Sequence, residues 1–283
     1  MSAPRFSYVW RDVAPAAAEA CGAHFIAEGA TGVELRDGTT MQRGPGDGRV
    51  RVVGWFAQRA EAERVAASLT GAHVDEIVGD GWRDAYKAYF KPFALTSELW
   101  VCPPWERLDG ALVLDPGRAF GTGLHATTAL VATALDAHRE TFRDGVVLDV
   151  GTGSGILALA ALRFGARRAV AIDCDPDVVD VVADNAARNG LAARIEVDTR
   201  DVSEVDATFP FVVANIRAPV LLGMVDALVA RTTDTLVLSG VLASEAASVR
   251  APFVSAGLAS VATLRRDEVG QDDAWTALVL RRS

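Results

Sequence analysis

The chain has 283 residues, of which 50% are hydrophobic, and it carries a formal net charge of −9. This length and composition allow one large or two modest globular domains with an apolar core. The acidic balance argues against strong nonspecific binding to nucleic acid, which requires clustered Lys and Arg, and it suits a basic protein partner.

The sequence contains no signal for membrane insertion or secretion. No apolar run reaches about 18 residues, so no transmembrane helix is expected, and the first five residues lack the apolar core of a signal peptide. The three cysteines, Cys21, Cys102 and Cys174, have neither metal-binding nor disulfide spacing. We expect a monomer in the reducing cytoplasm, with no bound metal.

Residues 1–78 alternate short strand-like runs with helical ones. Strands are predicted over 6–10, 32–36, 50–56 and 74–78, and helices over 15–28 and 61–69. The order β-α-β-β-α-β predicts a small ferredoxin-like domain. This fold hosts many functions, so it identifies none by itself.

Residues 79–110 are predicted to form a linker helix and a connector. Trp82, Tyr86 and Tyr89 fall on one face of a helix over 81–90, which ends at Lys91-Pro92. We interpret this aromatic face as packing of the linker against a domain. A face directed at the substrate is the alternative.

Residues 111–283 show a regular α/β alternation. Strands are predicted over 146–150, 169–172, 193–197, 211–215 and 235–239, and helices over 127–138, 155–164, 176–189, 217–230 and 243–256. Strands separated by helices predict a mostly parallel, doubly wound sheet. Two further strand-like runs, 258–264 and 275–280, have no helix between them. We therefore expect a terminal hairpin that inserts one antiparallel strand into the sheet.

A glycine-rich turn follows the first of these strands. Residues 149–155 read Asp-Val-Gly-Thr-Gly-Ser-Gly, and the next strand ends at Asp173. This is the layout of a nucleotide-binding βαβ unit. A dinucleotide fingerprint requires its third glycine at position 156, where Ile156 stands. The G-x-G-x-G spacing instead resembles motif I of methyltransferases that use S-adenosylmethionine (SAM), whose sheet also contains the inserted antiparallel strand.

In this interpretation the acids and glycines of the turn surround SAM. Gly151 and Gly153 would let the backbone pass beneath the methionine part, and Asp149 would lie near the amino group. Asp173 would accept hydrogen bonds from the ribose diol. The alternatives are a tight turn of any α/β protein and a solvated acid at a strand end.

Polar residues also end the third and fourth strands. Asp198 and Asp201 follow the third strand, and either is a candidate for contacting adenine. Asn215 ends the fourth strand, at the sheet edge where α/β proteins bind ligands, and its carbonyl oxygen would orient an incoming amine beside the cofactor methyl group. The alternative for Asn215 is a helix N-cap, a position that Asn favours.

The segment 115–128 reads Asp-Pro-Gly-Arg-Ala-Phe-Gly-Thr-Gly-Leu-His-Ala-Thr-Thr and precedes a predicted helix. Its composition indicates a loop that is capped by Thr where the helix begins. Phe120 and Thr128 would belong to a lid over the methionine carboxylate, which hydroxyl and helix N-terminal N–H groups would bind. His125 is a candidate general base for an amine, and orientation of the loop is its alternative role.

Together these motifs resemble the ribosomal protein L11 methyltransferase (PrmA) family. Residues 119–128 are similar to that family's Phe-Gly-Thr-Gly-Thr-His-Pro-Thr-Thr element, and residues 147–158 to its motif I. Ala214-Asn215-Ile216 and residues 238–245 resemble further family segments. The connector is similar to the family's linker, so the resemblance spans nearly the whole chain.

The resemblance implies a class I SAM-methyltransferase fold over 111–283 and a ferredoxin-like, substrate-recognising domain over 1–78. It implies methylation of lysine side chains and the α-amine of ribosomal protein L11, without direct contact to nucleic acid or membrane. Carried over by position, Thr128, Gly151, Asp173 and Asn215 contact the cofactor. Asn215 is also the expected catalytic residue.

Three positions depart from the family pattern. Leu124 stands where the family has Thr, Ala126 where it has Pro, and Arg217 where an apolar residue is usual. Two other functions therefore stay open: the same chemistry on another protein or a small amine, and a noncatalytic SAM-binding module. Ile156 and the terminal hairpin disfavour a nicotinamide-dependent oxidoreductase.

Overall fold

The computed structural model describes residues 5–36, 45, 47–56, 58–78, 91–115, 124–267 and 273–282. The chain divides into two compact units, Met1–Lys91 and Pro92–Ser283. The linker helix predicted over 81–90, with its aromatic face, lies outside the described residues. No helix in the described part of the chain combines the length and apolar character needed to cross a membrane.

The smaller unit is an antiparallel sheet with two helices. Its elements are β1 (Arg5–Val13), a 3-10 turn (Pro15–Ala17), α1 (Ala18–Ala27), β2 (Gly32–Arg36), β3 (Val50–Phe56), α2 (Arg59–Ala67) and β4 (Ala72–Val78). The strand order β2-β3-β1-β4 is that of a ferredoxin-like fold, as the sequence predicts.

Period-2 alternation separates the two faces of this sheet. Val9 on β1 and Val52 on β3 point to the helices and form a core with Phe25 and Val65. The smaller unit therefore has its own apolar core.

The opposite face of the sheet carries aromatic side chains. The rings of Tyr8 and Trp55 lie 4.9 Å apart, and the ring of Trp10 stacks on that of His73 at 4.2 Å. The guanidinium of Arg51 lies 3.9 Å from the centre of the Trp10 ring. These contacts fix the orientation of the aromatic rings on this face.

The larger unit begins with three short strands that form a separate sheet. They are β5 (Phe93–Ala94), β6 (Trp100–Cys102) and β7 (Leu112–Val113). Sequence patterns do not reveal them, because strands of two or three residues are too short to show a period-2 signal.

The main sheet of the larger unit has seven described strands, ordered β10-β9-β8-β11-β12-β14-β13. They are β8 (Val146–Val150), β9 (Arg168–Ile172), β10 (Ile195–Asp198), β11 (Phe209–Asn215), β12 (Thr232–Leu242), β13 (Leu258–Arg266) and β14 (Trp275–Arg282). Strand β14 lies between β12 and β13 and is antiparallel to both. The predicted terminal hairpin is confirmed.

Helices flank this sheet. They are α3 (Ala126–Ala137), α4 (Arg139–Phe142), α5 (Ile156–Arg163), α6 (Asp177–Arg188), α7 (Ala218–Gly223), α8 (Val225–Arg231) and α9 (Ala246–Ser255). Successive residues of β8 belong to two different apolar clusters: Val147 belongs to the first, and Leu148 belongs to the second. Strand β8 is thus buried on both faces, as interior strands of parallel sheets usually are.

The predicted elements of this unit differ from the observed ones mainly at their ends. The helix predicted over 217–230 is wrong as a single element, because it is interrupted at Met224 between α7 and α8. Gly223, a poor helix former, precedes the break. Helix α6 begins at Asp177, and the carboxylate of Asp175 accepts a hydrogen bond from the Asp177 N–H at 3.0 Å.

Candidate active site

The candidate site lies where the strand order of the main sheet reverses. Strand β8 is parallel to β9 on one side and to β11 on the other. The carboxyl ends of these strands meet at one edge of the sheet, which is where open α/β sheets bind ligands. Gly151 follows β8, Asp173 follows β9 and Asn215 ends β11, so the fold brings these three predicted residues to the same edge.

The glycine turn is held by hydrogen bonds to the end of β9. The N–H groups of Gly151 and Thr152 donate to the carbonyl oxygen of Ile172 at 2.8 and 3.1 Å. The N–H of Gly153 donates to Oδ2 of Asp173 at 2.9 Å. Gly151, Gly153 and Gly155 have φ of +70°, +51° and +80°, in the left-handed region that favours glycine.

Asp173 has acceptor capacity left for a ligand. Its Oδ2 accepts from Gly153, and its Oδ1 accepts from the N–H of Asp175 at 3.1 Å. A carboxylate offers about four lone-pair positions, and these two bonds use two of them. The remaining positions suit a pair of neighbouring hydroxyls, such as a ribose diol.

Asp149 lies fully buried beneath the turn. Its Oδ2 accepts from the Thr152 hydroxyl at 2.7 Å and from the N–H of Ala158 at 3.1 Å. Its Oδ1 is buried and has no hydrogen-bond partner among the residues that the structure describes. Burial raises the pKa of this carboxyl to about 6, and the nearby charge of Asp173 acts in the same direction. A buried acceptor without a partner favours a donor or a cation near it.

The electrostatics of the turn fit a cationic ligand better than a diphosphate. Residues 149–158 contain no Lys or Arg, and Asp149 already accepts from Ala158 in the first turn of α5, where a phosphate would otherwise bind. SAM carries a positive sulfonium and a positive amino group. The carboxylates of Asp149 and Asp173 therefore match its charge, and the turn fits SAM.

Ile216, the residue after Asn215, packs against Gly151 of the glycine turn and Gly240 of β12. A Cβ on Gly151 would lie 2.8 Å from the side chain of Ile216, and a Cβ on Gly240 would lie 2.6 Å from its carbonyl oxygen. The N–H of Ile216 donates to the carbonyl of Ser239 at 3.0 Å. These contacts fix the backbone at Asn215 beside the glycine turn.

Asn215 is not a helix N-cap. Helix α7 begins at Ala218, and the N-cap position is occupied by Arg217 without a side-chain hydrogen bond. The capping alternative for Asn215 is therefore wrong. The described residues contain no hydrogen-bond partner for its carboxamide, which leaves this group for a ligand.

His125 caps helix α3. Its Nδ1 accepts from the N–H of Thr127 at 3.4 Å and lies 2.7 Å from the Thr127 hydroxyl oxygen, and its ring packs edge-on against Trp275 at 4.8 Å. These contacts favour orientation of the helix start as the role of His125. Thr128 is buried in the first turn of α3, and its N–H donates to the carbonyl of His125 at 3.1 Å. Phe120 lies outside the described residues.

The two candidate adenine contacts have local partners. Asp201 caps the short 3-10 helix Val202–Glu204, and hydrogen bonds from Ser203 hold the pKa of its carboxyl below the ordinary value. Asp198 accepts from the N–H of Arg200 at 2.7 Å and pairs with its guanidinium at 3.0 Å. These contacts do not favour either acid over the other as the adenine contact.

Comparison with known proteins decides the family. The family model described as ribosomal protein L11 methyltransferase (PrmA) matches residues 16–283. The chain belongs to this family. It is therefore a SAM-dependent protein methyltransferase, and the resemblance seen in the sequence motifs is confirmed.

Individual members of the PrmA family agree with this assignment. The chain is 49% identical over 267 residues to the ribosomal protein L11 methyltransferase of Sorangium cellulosum, which covers 89% of this chain and 84% of the relative. It is 38% identical to that of Myxococcus xanthus, over 90% of this chain and 91% of the relative. The crystal structure of a ribosomal protein L11 methylase from Lactobacillus delbrueckii matches 69% of this chain and 100% of that chain, with a TM-score of 0.61 and 27% identity.

Two residues of this PrmA-family site were not found by sequence reasoning. Asn185 of α6 and its C-cap Asn189 make hydrogen bonds to the backbone of residues 113–115, and Asn185 also contacts the glycine turn. A signal exists for Asn185, because it continues the buried helix face that contains Val178 and Val182. Asn189 follows one turn later and is half-buried. Polar groups on an apolar helix face require partners.

Proposed function

We propose that this protein transfers methyl groups from SAM to amino groups of ribosomal protein L11, on lysine side chains and on the α-amine. The relatives that carry this name match most of the chain. One observation supports the chemistry most directly. The Asp173–Gly153 hydrogen bond holds the glycine turn at the end of β9, and Gly151 lies against Ile216, next to Asn215. A candidate cofactor site and a group able to bind an amine therefore share one sheet edge.

The cofactor would be held by four described residues. Gly151 and Gly153 give it close access to the backbone, Asp173 binds the ribose hydroxyls, and the first turn of α3, at Thr128, binds the methionine carboxylate. Phe120 would add an apolar contact, a proposal that rests on the sequence pattern alone. When bound, SAM supplies a methyl group on a positive sulfur.

Asn215 would act on the acceptor. A lysine amine has a reference pKa of about 10.4 and attacks only when it is neutral. The carboxamide oxygen of Asn215 accepts an N–H of the amine and aims its lone pair at the methyl group. The new N–C bond would form as the S–CH3 bond breaks, with neutral S-adenosylhomocysteine as the leaving group, and the methylated ammonium would then lose a proton to solvent.

The smaller unit would bind the protein substrate. Its sheet carries the half-buried rings of Tyr8, Trp10 and Trp55 on the face opposite its helices. Aromatic rings held in fixed orientations are efficient anchors for a protein partner. Trp55→Ala should raise the KM for L11 and leave SAM binding unchanged. A change in SAM affinity without a change in KM for L11 would refute this assignment.

We also propose that the protein acts as a monomer in the cytoplasm and does not bind nucleic acid directly. The three cysteines are free thiols, and Cys174 is exposed, which suits a reducing compartment. Light scattering of the purified protein tests whether it is a monomer, and fractionation of cells tests its location. Titration with a ribosomal RNA fragment tests whether it binds nucleic acid.

The function is tested with purified L11 from the same organism. After incubation with SAM, mass spectrometry should find L11 carrying one or more added methyl groups, located on lysines or the N-terminus. Asn215→Ala protein serves as the control for nonenzymatic transfer. Unmodified L11, together with a labelled band of another protein in whole lysate, would identify a different substrate. SAM binding without transfer to any lysate protein would indicate a noncatalytic module.

A further inference from the structure

Asn185 of α6 and Asn189, the C-cap of that helix, bind the backbone of an extended segment in the way a neighbouring strand would. Asn189 accepts from the N–H of Val113 at 2.8 Å and donates to its carbonyl at 2.6 Å. Asn185 accepts from the N–H of Asp115 at 3.0 Å. Four residues along a helix and two residues along an extended chain each span about 6 Å, so the spacing of the two asparagines matches that of their two backbone partners.

Asn185 makes a further contact that Asn189 does not make within the described residues. Its Nδ2 donates to the carbonyl of Ser154 at 3.0 Å, inside the glycine turn, and its side chain is only 1% exposed. Asn189 instead donates to the carbonyl of Asn185 at 2.7 Å. Asn185 alone of the pair therefore connects residue 115 to the turn.

The peptide unit that Asn185 contacts lies between two left-handed glycines. Gly153 has φ +51° and Gly155 has φ +80°, so the backbone on either side is intrinsically permissive. The N–H of Gly155 donates to the carbonyl of Thr152 at 3.0 Å, and the carbonyl of Ser154 accepts from Asn185. Both polar groups of this peptide unit are thus bonded, which fixes its orientation.

We propose that Asn185 is a positioning residue for the cofactor: by holding the Ser154 carbonyl, it keeps the turn Gly151–Gly155 in the conformation that binds SAM. The inference rests on the cofactor site proposed above. The helix contact of Asn189 supports only the fold of the segment around Val113. Substitutions at the two residues therefore distinguish a role in cofactor binding from a role in stability.

The experiment compares Asn185→Ala with Asn189→Ala in the full-length protein. Calorimetry with S-adenosylhomocysteine should give a Kd at least about tenfold weaker for N185A than for wild type, and within about twofold of wild type for N189A. Thermal unfolding should show a similar loss of stability in both variants, because each leaves one half-buried backbone N–H without its side-chain partner. Equal Kd values for the two variants would overturn the proposal.

Hydrogen exchange in the wild-type protein keeps the proposal testable if N185A does not fold. Coupling between two sites is reciprocal, so S-adenosylhomocysteine should slow exchange of the Asp115 amide more than that of the Val113 amide. Equal slowing of both amides would overturn the role of Asn185. Absence of binding to the wild-type protein would instead refute the cofactor site, and the two failures are thereby distinguished.

Discussion

The hydroxyl of Thr152 donates a hydrogen bond of 2.7 Å to the carboxylate of Asp149, and both side chains are buried beneath the glycine turn. This bond and that from Ala158 stabilise the ionised carboxylate, yet burial opposes them and prevails. The folded protein therefore raises the pKa of Asp149 from 3.8 to about 6.

A defined pH dependence of stability follows from this shift. The folded state binds the proton of Asp149 more tightly than the unfolded chain does, so the stabilisation is complete below pH 4 and is lost as the pH rises to about 6. Two pKa units correspond to about 3 kcal/mol. Asp149→Asn resembles the protonated acid in shape and hydrogen bonding, and it cannot titrate.

Urea unfolding of wild type and Asp149→Asn at several pH values measures this effect. Subtraction removes the titration of all other groups, so the free energy of unfolding of wild type minus that of the variant should fall by about 3 kcal/mol between pH 4 and pH 7. A difference that is constant, or that rises with pH, would contradict the raised pKa.

Asp173 is expected to contribute to cofactor affinity through its charge. Asp173→Asn keeps an oxygen that can accept from Gly153 but loses the charged hydrogen bonds to the ribose, worth about 2 kcal/mol, or roughly 30-fold in Kd. Calorimetry with S-adenosylhomocysteine checks this value. Asp177→Asn, an exposed acid at the start of α6, is the matched control and should bind as wild type does. Equal effects of the two changes would argue for a general loss of negative charge.

Removal of the Asn215 carboxamide should slow transfer more than it weakens cofactor binding. In Asn215→Ala the amine is no longer aimed at the methyl group, and loss of orientation of this kind reduces kcat by about 100-fold. Radiolabelled transfer to L11 gives kcat, and calorimetry gives the Kd for S-adenosylhomocysteine. If affinity and kcat fell together by the same factor, Asn215 would be a cofactor contact without a catalytic role.

Gly240 is expected to tolerate no side chain, because it supports the backbone next to Asn215. It has φ +79°, and an added Cβ would lie 2.6 Å from the carbonyl oxygen of Ile216. Gly190 has φ +68° with nothing within 4 Å of such a Cβ. Gly190→Ala should therefore lower the free energy of unfolding by about 1 kcal/mol, from the strain of the left-handed backbone alone. Gly240→Ala should lower it by at least about 3 kcal/mol.

Urea unfolding of these two glycine variants separates backbone strain from steric overlap. Gly240→Ala should also lose methyl transfer, since displacement of Ile216 moves Asn215. Similar stabilities for the two variants would show that β12 around Gly240 adjusts freely.

Much of the fold and of the cofactor site follows from local sequence patterns. The alternation of strands and helices, the glycine spacing at 151–155 and the acid at position 173 each depend on short segments, in which periodicity and turn chemistry act directly. Two strand-like runs at the end of the chain have no helix between them, and this pattern sufficed to predict the inserted antiparallel strand. Family-specific loop motifs then indicated the reaction.

Other features depend on residues far apart in the chain. Asn215 can be a helix N-cap or a ligand-binding group on sequence grounds, and only the start of α7 at Ala218 excludes the cap. The contacts of Asn185 join residues 31 and 70 positions away. No local period records such separations, and asparagine is favoured both at turns and at helix caps.

The sequence by itself determined the family, through loop motifs along most of the chain. It also indicated the methyl donor and the candidate residues Gly151, Gly153 and Asp173, because these lie within one βαβ unit. Only the tertiary structure decided which polar groups are bonded, buried or left for a ligand. Burial of Asp149 and the close approach of Gly240 to Ile216 arise when strands distant in sequence become neighbours in the sheet. Desolvation and steric overlap act through space, so they appear only once the chain is folded.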